Sequence, residues 1–414
     1  MTRQTADIVI AGAGVIGLCA AVQLARRSTA RIVVVERAAT VGAGSTGASS
    51  AVCRHKYSLP EMITLASDGI TAYRHWSEFL GTTDVLAHYQ DVGVLWLGNG
   101  NPEWTHRDFE QMTKHGIRAA LLDDYELRTR FPSINPCLRA PDLESADEHR
   151  CTGGGVHLLE LDGGYIDPVD VLHDLLASAR GKGVDVRFRT EVDGIETAGG
   201  RVTGVRLADQ SVISAPILIS AAGPWCTRLF AKVGLASPWR LEPTRIQMAH
   251  IDRPRAVIGD LPVTVDQVGG IYFRTQNRGQ QIIVGSIQEA DERETVPDPD
   301  QFASYADDEF MRSKLHILEH RLRGLSDVGR PRGYSGLYTI NRHDFHPIVG
   351  STPIDGLLVA NGMSGHGFKL APAIGSLIAQ ILAGPIDSFD TRVDPAFLSF
   401  NRAPIVLKSL GVVA

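Results

Sequence analysis

Cysteine is scarce in this chain, and what there is does not pair by spacing. Cys19, Cys53, Cys137, Cys151 and Cys226 are five in 414 residues, an odd number with no CxxC pair. Neither a disulfide framework nor a structural zinc site is expected, and the thiols read as buried residues of a reducing cytosol. Excess positive charge is missing as well. The 41 Lys and Arg against 47 Asp and Glu leave a net charge of −6, which gives no basic footprint for nucleic acid. No apolar run is long enough for a membrane span: Leu370 to Gly384 is interrupted by Pro372, Ser376 and Gln380 and falls short of the ~20 apolar residues required. Met1-Thr2-Arg3-Gln4-Thr5 leads straight into an apolar strand rather than into the regions of a signal peptide. Internal repeats and low-complexity linkers are also lacking. These absences point to a cytoplasmic protein that binds no metal.

Glycine, by contrast, is plentiful at 42 residues, and 43% of the chain is hydrophobic. Such a chain buries a sizeable core with many tight turns, and its length suggests two or three domains at ~150 residues each. The first forty residues read as strand (Asp7–Ala11), Gly-rich turn, helix and second strand (Arg31–Glu36). One long helix is expected over Pro60–Leu80, a strand over Val92–Leu97, and two small helices over Pro102–His115 and Asp123–Phe131. A helix over Val169–Arg180 follows, then strands near Val184–Arg187, Val202–Leu207 and Val212–Ile219. From Thr244 to Gly285 the chain is strand-rich. Alternating ends around a β-rich middle suggest a nucleotide-binding domain interrupted by a second domain.

Gly12-Ala13-Gly14-Val15-Ile16-Gly17 lies between the first strand and its helix. Gly12 suits the tight turn, Gly14 a close approach to a pyrophosphate, and Gly17 the packing of helix on strand. The helix N-terminus offers N–H groups to the phosphates. Glu36 ends the second strand 19 residues after Gly17, where a carboxylate accepts from a ribose 2′-OH. Gly42-Ala43-Gly44-Ser45-Thr46-Gly47-Ala48-Ser49-Ser50 is a second donor-rich cluster. Far along the chain, strand Leu357–Ala360, the turn Asn361–Gly367 and a helix from Phe368 repeat the pattern. Two such sites suit a long cofactor, and the cofactor is read as FAD.

The chain resembles the FAD-dependent D-amino-acid-oxidase-like oxidoreductases, in particular the glycine and sarcosine oxidase and dehydrogenase branch. The resemblance is carried by the segment around Gly12–Gly17 with Glu36, by Gly42–Ser50, and by Gly164-Tyr165-Ile166-Asp167-Pro168. It continues through Ala221-Ala222-Gly223-Pro224-Trp225, Asp344–Gly350 and Ser364–Pro372. It implies an α/β Rossmann-type FAD-binding domain, discontinuous in sequence (1–85, 146–236 and 336–414). An α+β substrate domain on an antiparallel sheet (86–145 and 237–335) would complete the fold. The cofactor contacts implied are Gly12, Gly14, Val15, Ile16, Gly17, Glu36, Arg37, Gly44, Ser45, Thr46, Ser49, Ser50, Val192, Ala222, Gly223, Trp225, Gly336, Ser364, Gly365, His366, Gly367, Phe368 and Lys369.

The resemblance also implies a substrate site. Arg54, in Arg54-His55-Lys56-Tyr57, matches the family's arginine for the substrate carboxylate, and Lys369 matches its second partner. A planar fork and a point charge make a sensible clamp. Tyr272 and Arg274 sit on the strand that the family lays over the flavin, and His366 falls near the ring. The family's attachment cysteine has no counterpart in Ser335–Tyr338, and Ser45-Thr46-Gly47 lacks the histidine of related dehydrogenases. Non-covalent FAD follows. The oxygen-activating lysine of the family is missing from Ile282–Gly285, so the electron acceptor, O₂ or a protein or quinone, stays open. Self-association as a homo-oligomer is also open.

The expected reaction is oxidation of a C–N bond in an amino acid or N-substituted glycine, with hydride transfer to flavin N5 and hydrolysis of the imine. The Ser364–Lys369 helix start would stabilise charge on the reduced ring. Two-hydroxy-acid oxidation, a flavin-bearing subunit of a larger dehydrogenase, and an NAD-linked dehydrogenase are the alternatives.

Overall fold

Ile8–Ala11 and Ile32–Val35 are apolar throughout and buried at every position, as strands covered on both faces of a parallel sheet must be. The computed structural model describes residues 3–142, 149–325, 329–386 and 388–406; parts of all five expected domain ranges therefore lie outside the described residues. The two strands sit side by side in a six-stranded sheet whose order is 348–351, 357–361, 217–220, 8–11, 32–35 and 185–187. Every neighbour is parallel except Ile348–Ser351, which runs antiparallel to Leu357–Asn361. Helices Val15–Arg27 and Gly367–Ala383 pack against each other, with Gly375 letting them approach: a Cβ there would stand 2.7 Å from the backbone of Cys19. A four-stranded sheet (3–5, 212–214, 201–207, 192–198) and a two-stranded ribbon (52–53 with 164–165) complete this part.

The second part is built on an eight-stranded sheet ordered 332–341, 241–252, 281–286, 271–276, 263–266, 94–97, 156–160 and 119–123. Its pairs are antiparallel apart from Val263–Asp266 with Val94–Leu97, which is parallel. Helix Asp308–Arg321 covers one face, where Ile317 and Leu318 join Ile271, Phe273, Ile282 and Val284 in a common core.

Several elements differ from the sequence reading. The long helix over 60–80 is two, Pro60–Arg74 and Trp76–Leu80, broken at His75. The second is fixed elsewhere: the Trp76 indole donates to Asp174 at 3.0 Å and its ring stacks on Phe79. The expected strand 212–219 splits at Ala215-Pro216 into strands of two different sheets, since proline has no N–H for a ladder. Val156–Glu160 pairs within the large sheet although it falls in the range 146–236, and Arg332–Asn341 crosses the expected boundary at 336. No helix among the described residues is long and apolar enough to cross a membrane.

Candidate active site

The fingerprint glycines have three different reasons to be glycine. Gly12 has φ +113°, and a Cβ on it would stand 2.4 Å from the carbonyl oxygen of Ala221. A Cβ on Gly17 would meet the Gly12 carbonyl oxygen at 2.0 Å. Gly14 is different: only the Thr46 hydroxyl, at 3.4 Å, lies near its missing Cβ, and the residue lines a cavity. Gly14 also starts the helix with no side-chain cap, while the Val15 N–H donates to Thr46 Oγ1 at 3.2 Å. Ser45, in the same lining, has a buried hydroxyl with no partner. Open space over a glycine, a helix start whose N-cap residue has no side chain and an unused hydroxyl fit a bound pyrophosphate.

Glu36 follows the second strand and lines the same cavity. Its carboxylate accepts from the N–H groups of Ala13 and Ala38, each at 2.9 Å, and each oxygen keeps a lone pair for a ribose hydroxyl. Arg37 lies 4.1 Å over the Trp225 ring and pairs with Asp300, which also takes the Trp225 indole at 2.9 Å and Arg228 at 2.6 Å. Hydrogen bonding to Arg37, with Arg228 and Trp225 beside it, holds the Asp300 carboxyl well below the usual range. Val15, Ile16, Gly44, Thr46, Ser49, Val192, Ala222, Gly223, Gly365, Gly367 and Phe368 complete the expected lining.

Gly17, Gly336 and Ser364 lie outside that lining. Gly17 supports the loop from behind. Gly336 lies against the second glycine cluster, where a Cβ would come within 2.6 Å of Ala48. The Ser364 hydroxyl accepts from the Asn341 N–H at 2.9 Å and pins the turn.

A second, smaller cavity adjoins the first through Ser49, Tyr338, Gly365 and Phe368, which line both. Its wall contains Arg54, Lys369, Tyr272 and Ser50, together with Trp96 and Glu292. The structure thus brings Arg54 and Lys369 together from opposite ends of the chain: both are buried, and they lie 4.4 Å and 5.9 Å from the Tyr57 ring centroid. Burial, and then the neighbouring Arg54 guanidinium, hold Lys369 well below the usual lysine range. Gly69 sets its backbone, because helix Pro60–Arg74 passes so close that a Cβ there would meet the Lys369 carbonyl oxygen at 2.2 Å.

Glu160, which the sequence reading missed, organises the Arg54–Tyr57 run. Its fully buried carboxylate accepts from the His55 N–H at 2.6 Å, the Lys56 N–H at 3.3 Å and the Trp96 indole at 2.7 Å. Burial pushes its carboxyl up, but these hydrogen bonds and His55 win and leave it below the usual range. A lone Glu closing the apolar strand Val156–Glu160 was a readable signal. Nothing in the spacing marks Glu292, Trp96 or Asp300.

Two expected catalytic residues sit elsewhere. Arg274 lines neither cavity: its guanidinium donates to the carbonyls of Ser50 at 2.5 Å and Thr275 at 2.6 Å and stacks 4.3 Å over Tyr165. It braces the second glycine cluster. His366 also lies behind the lining, with Nδ1 3.0 Å from the Tyr57 hydroxyl. Burial first, then Lys369 and Arg54, keep His366 well below its ordinary value, while burial raises Tyr57 to about 12. A neutral imidazole and a protonated phenol thus share this hydrogen bond. Tyr272 does face the cavity, its hydroxyl 3.1 Å from Ser50 Oγ.

Residues 7–381 match the family described as DAO, FAD dependent oxidoreductase. A similar curated protein is the mouse (Mus musculus) FAD-dependent oxidoreductase domain-containing protein 1, 27% identical over 92% of this chain and 81% of its own length. Sarcosine oxidase subunit beta of Rhizobium meliloti (strain 1021) is 27% identical over 91% of this chain and 84% of its own. Among solved structures, L-proline dehydrogenase from P. horikoshii aligns over 96% of this chain and 98% of its own with a TM-score of 0.80 at 20% identity, a likeness of fold.

Proposed function

Since the chain belongs to the DAO family of FAD-dependent oxidoreductases, we propose that it oxidises the C–N bond of an amino acid or N-substituted glycine held by its carboxylate. The observation that carries this reading is the pairing of Arg54 and Lys369 in a small cavity that shares four wall residues with the cofactor cavity. FAD, when bound, supplies the two-electron acceptor. Gly12–Gly17, Glu36 and the Gly42–Ser50 and Ser364–Phe368 turns would hold it. Non-covalent attachment is supported by Cys53, which is fully buried, lines neither cavity and has its thiol pushed up to about 12 by burial.

The chain's own residues then bind and orient. Arg54 takes the carboxylate in its planar fork, and the arriving anion restores the charge on Lys369. Neutral His366 and Tyr57 hold the turn beneath Lys369 without adding a competing charge. Trp96, Ile246, Val265 and Tyr272 wall the cavity and exclude water from the reacting carbon. Glu292, on the same wall, gives an amine N–H an acceptor. The likeness to a sarcosine oxidase subunit beta supports the same substrate class and a partner subunit.

Anaerobic mixing with panels of amino acids, N-methyl amino acids and 2-hydroxy acids tests the reading through flavin absorbance. Amino acids or their N-substituted forms should bleach the flavin. Bleaching by hydroxy acids alone would overturn the proposal.

A further inference from the structure

Four metal-ligating side chains converge on the face of the large sheet opposite the substrate cavity. Tyr272 points into that cavity, while its strand neighbours Ile271 and Phe273 face the core under helix Asp308–Arg321. At the end of this helix stands His320, and Cys137, His149 and Cys151 meet it there, with one ligand atom from each residue within 4.8 Å of the other three. We propose that these residues form a tetrahedral structural site for zinc, one that ties Cys137 and the His149–Cys151 stretch to the end of the helix.

The donor set is the first argument. Two thiolates and two imidazoles match the preference of zinc for mixed sulfur and nitrogen ligands in a closed tetrahedron. Two thiolates also neutralise Zn²⁺, so the centre carries no net charge into a partly buried position. Spacing is the second. Ligand atoms on tetrahedral zinc lie roughly 3.3–3.8 Å apart, from bonds of about 2.0–2.3 Å. Cys137 Sγ is already 3.4 Å from His149 Nε2, and the remaining separations need close by at most about 1–1.5 Å.

The surroundings suit a thiolate and a ligating imidazole. Cys137 Sγ accepts from the backbone N–H groups of Arg139 and Thr152, each at 3.4 Å, and the Asn135 amide lies 3.7 Å from Cys151 Sγ. Donors of this kind orient metal-bound sulfur and spread its charge. His320 Nε2 is buried with no hydrogen-bond partner, an expensive state for a ring nitrogen unless something binds it. Its ring meets that of His149 at 4.3 Å and 70°, so the imidazoles converge edge to face instead of stacking.

With all four positions filled by protein, the centre has no open site for substrate and acts as a staple. Next in sequence, Arg321 makes a fully buried ion pair with Asp266 and also donates to the Cys137 carbonyl. Asp266 neighbours Val265, which lines the substrate cavity. The metal thus fixes a strand of the substrate wall from behind. The four ligands come from three stretches with no local motif to mark them in the sequence.

The test is metal analysis of the flavin-loaded chain, purified with a thiol reductant and without chelator. About one zinc per chain is expected, lost in the Cys137→Ser/Cys151→Ser double variant and kept in the Cys226→Ser control. Should the double variant fail to fold, the wild-type chain stripped by chelator and given Co(II) provides the answer. Tetrahedral cobalt bands should appear at wavelengths beyond the flavin absorption, and stripping should lower Tm. A reduced chain that carries no zinc and takes up neither Zn(II) nor Co(II) overturns the proposal. So does zinc that survives the double substitution.

Discussion

Lys369 shows how a residue can be legible in type and not in state. Its place in the first turn of a helix, where a cation is disfavoured, marked it as functional. Only the fold reveals that burial and Arg54 drive its pKa well down. The sign of the resulting linkage is definite. Between the lowered value and the ordinary lysine range, the free protein holds Lys369 neutral, and a bound carboxylate recharges it. Binding of a carboxylate without an amine should therefore take up a proton in that window, and none below the lowered value, where Lys369 is already charged. Calorimetric titration in buffers of different ionisation enthalpy measures this directly, and uptake should disappear in Lys369→Met. Arg274 is similar: it shares a strand face with Tyr272, but the carbonyls of Ser50 and Thr275 hold its guanidinium.

At the scale of elements, helices and strands with strong local patterns were readable, and their ends and partners were not. The strands before and after Gly12–Gly17 stand where the pattern put them. The break at His75 was invisible because apolar residues continue through it, and Trp76 is fixed by Asp174, a residue distant in sequence. Close helix contacts were equally hidden. Gly69 reads as an ordinary helical glycine, yet it makes room for the Lys369 carbonyl. Gly69→Ala gains about 1 kcal/mol of helix propensity, but forcing a Cβ against a backbone oxygen costs about 1–3 kcal/mol. Because the neighbour is backbone and cannot swing aside, the clash should win. Thermal unfolding should show a lower Tm, with KM for a carboxylate substrate raised because Lys369 is displaced.

Across the whole molecule, the two glycine-rich helix starts and Glu36 line one cavity, and they were legible in the sequence because their patterns are local. The substrate wall is assembled from distant segments. Glu292 and Trp96 reach it through the pairing order of the eight-stranded sheet and its loops, which no spacing encodes. The central claim is that Arg54 and Lys369 meet beside the cofactor to hold one carboxylate. The most direct measurement is anaerobic stopped-flow flavin reduction, comparing wild type with Arg54→Ala on one amino-acid substrate and on its carboxamide. For the carboxylate, kcat/KM for reduction should fall by ~2–4 kcal/mol, roughly thirty- to a thousandfold, with FAD still bound. The carboxamide should be poor for both proteins and little changed by the substitution. Near-normal reduction of Arg54→Ala by the carboxylate substrate would contradict the clamp.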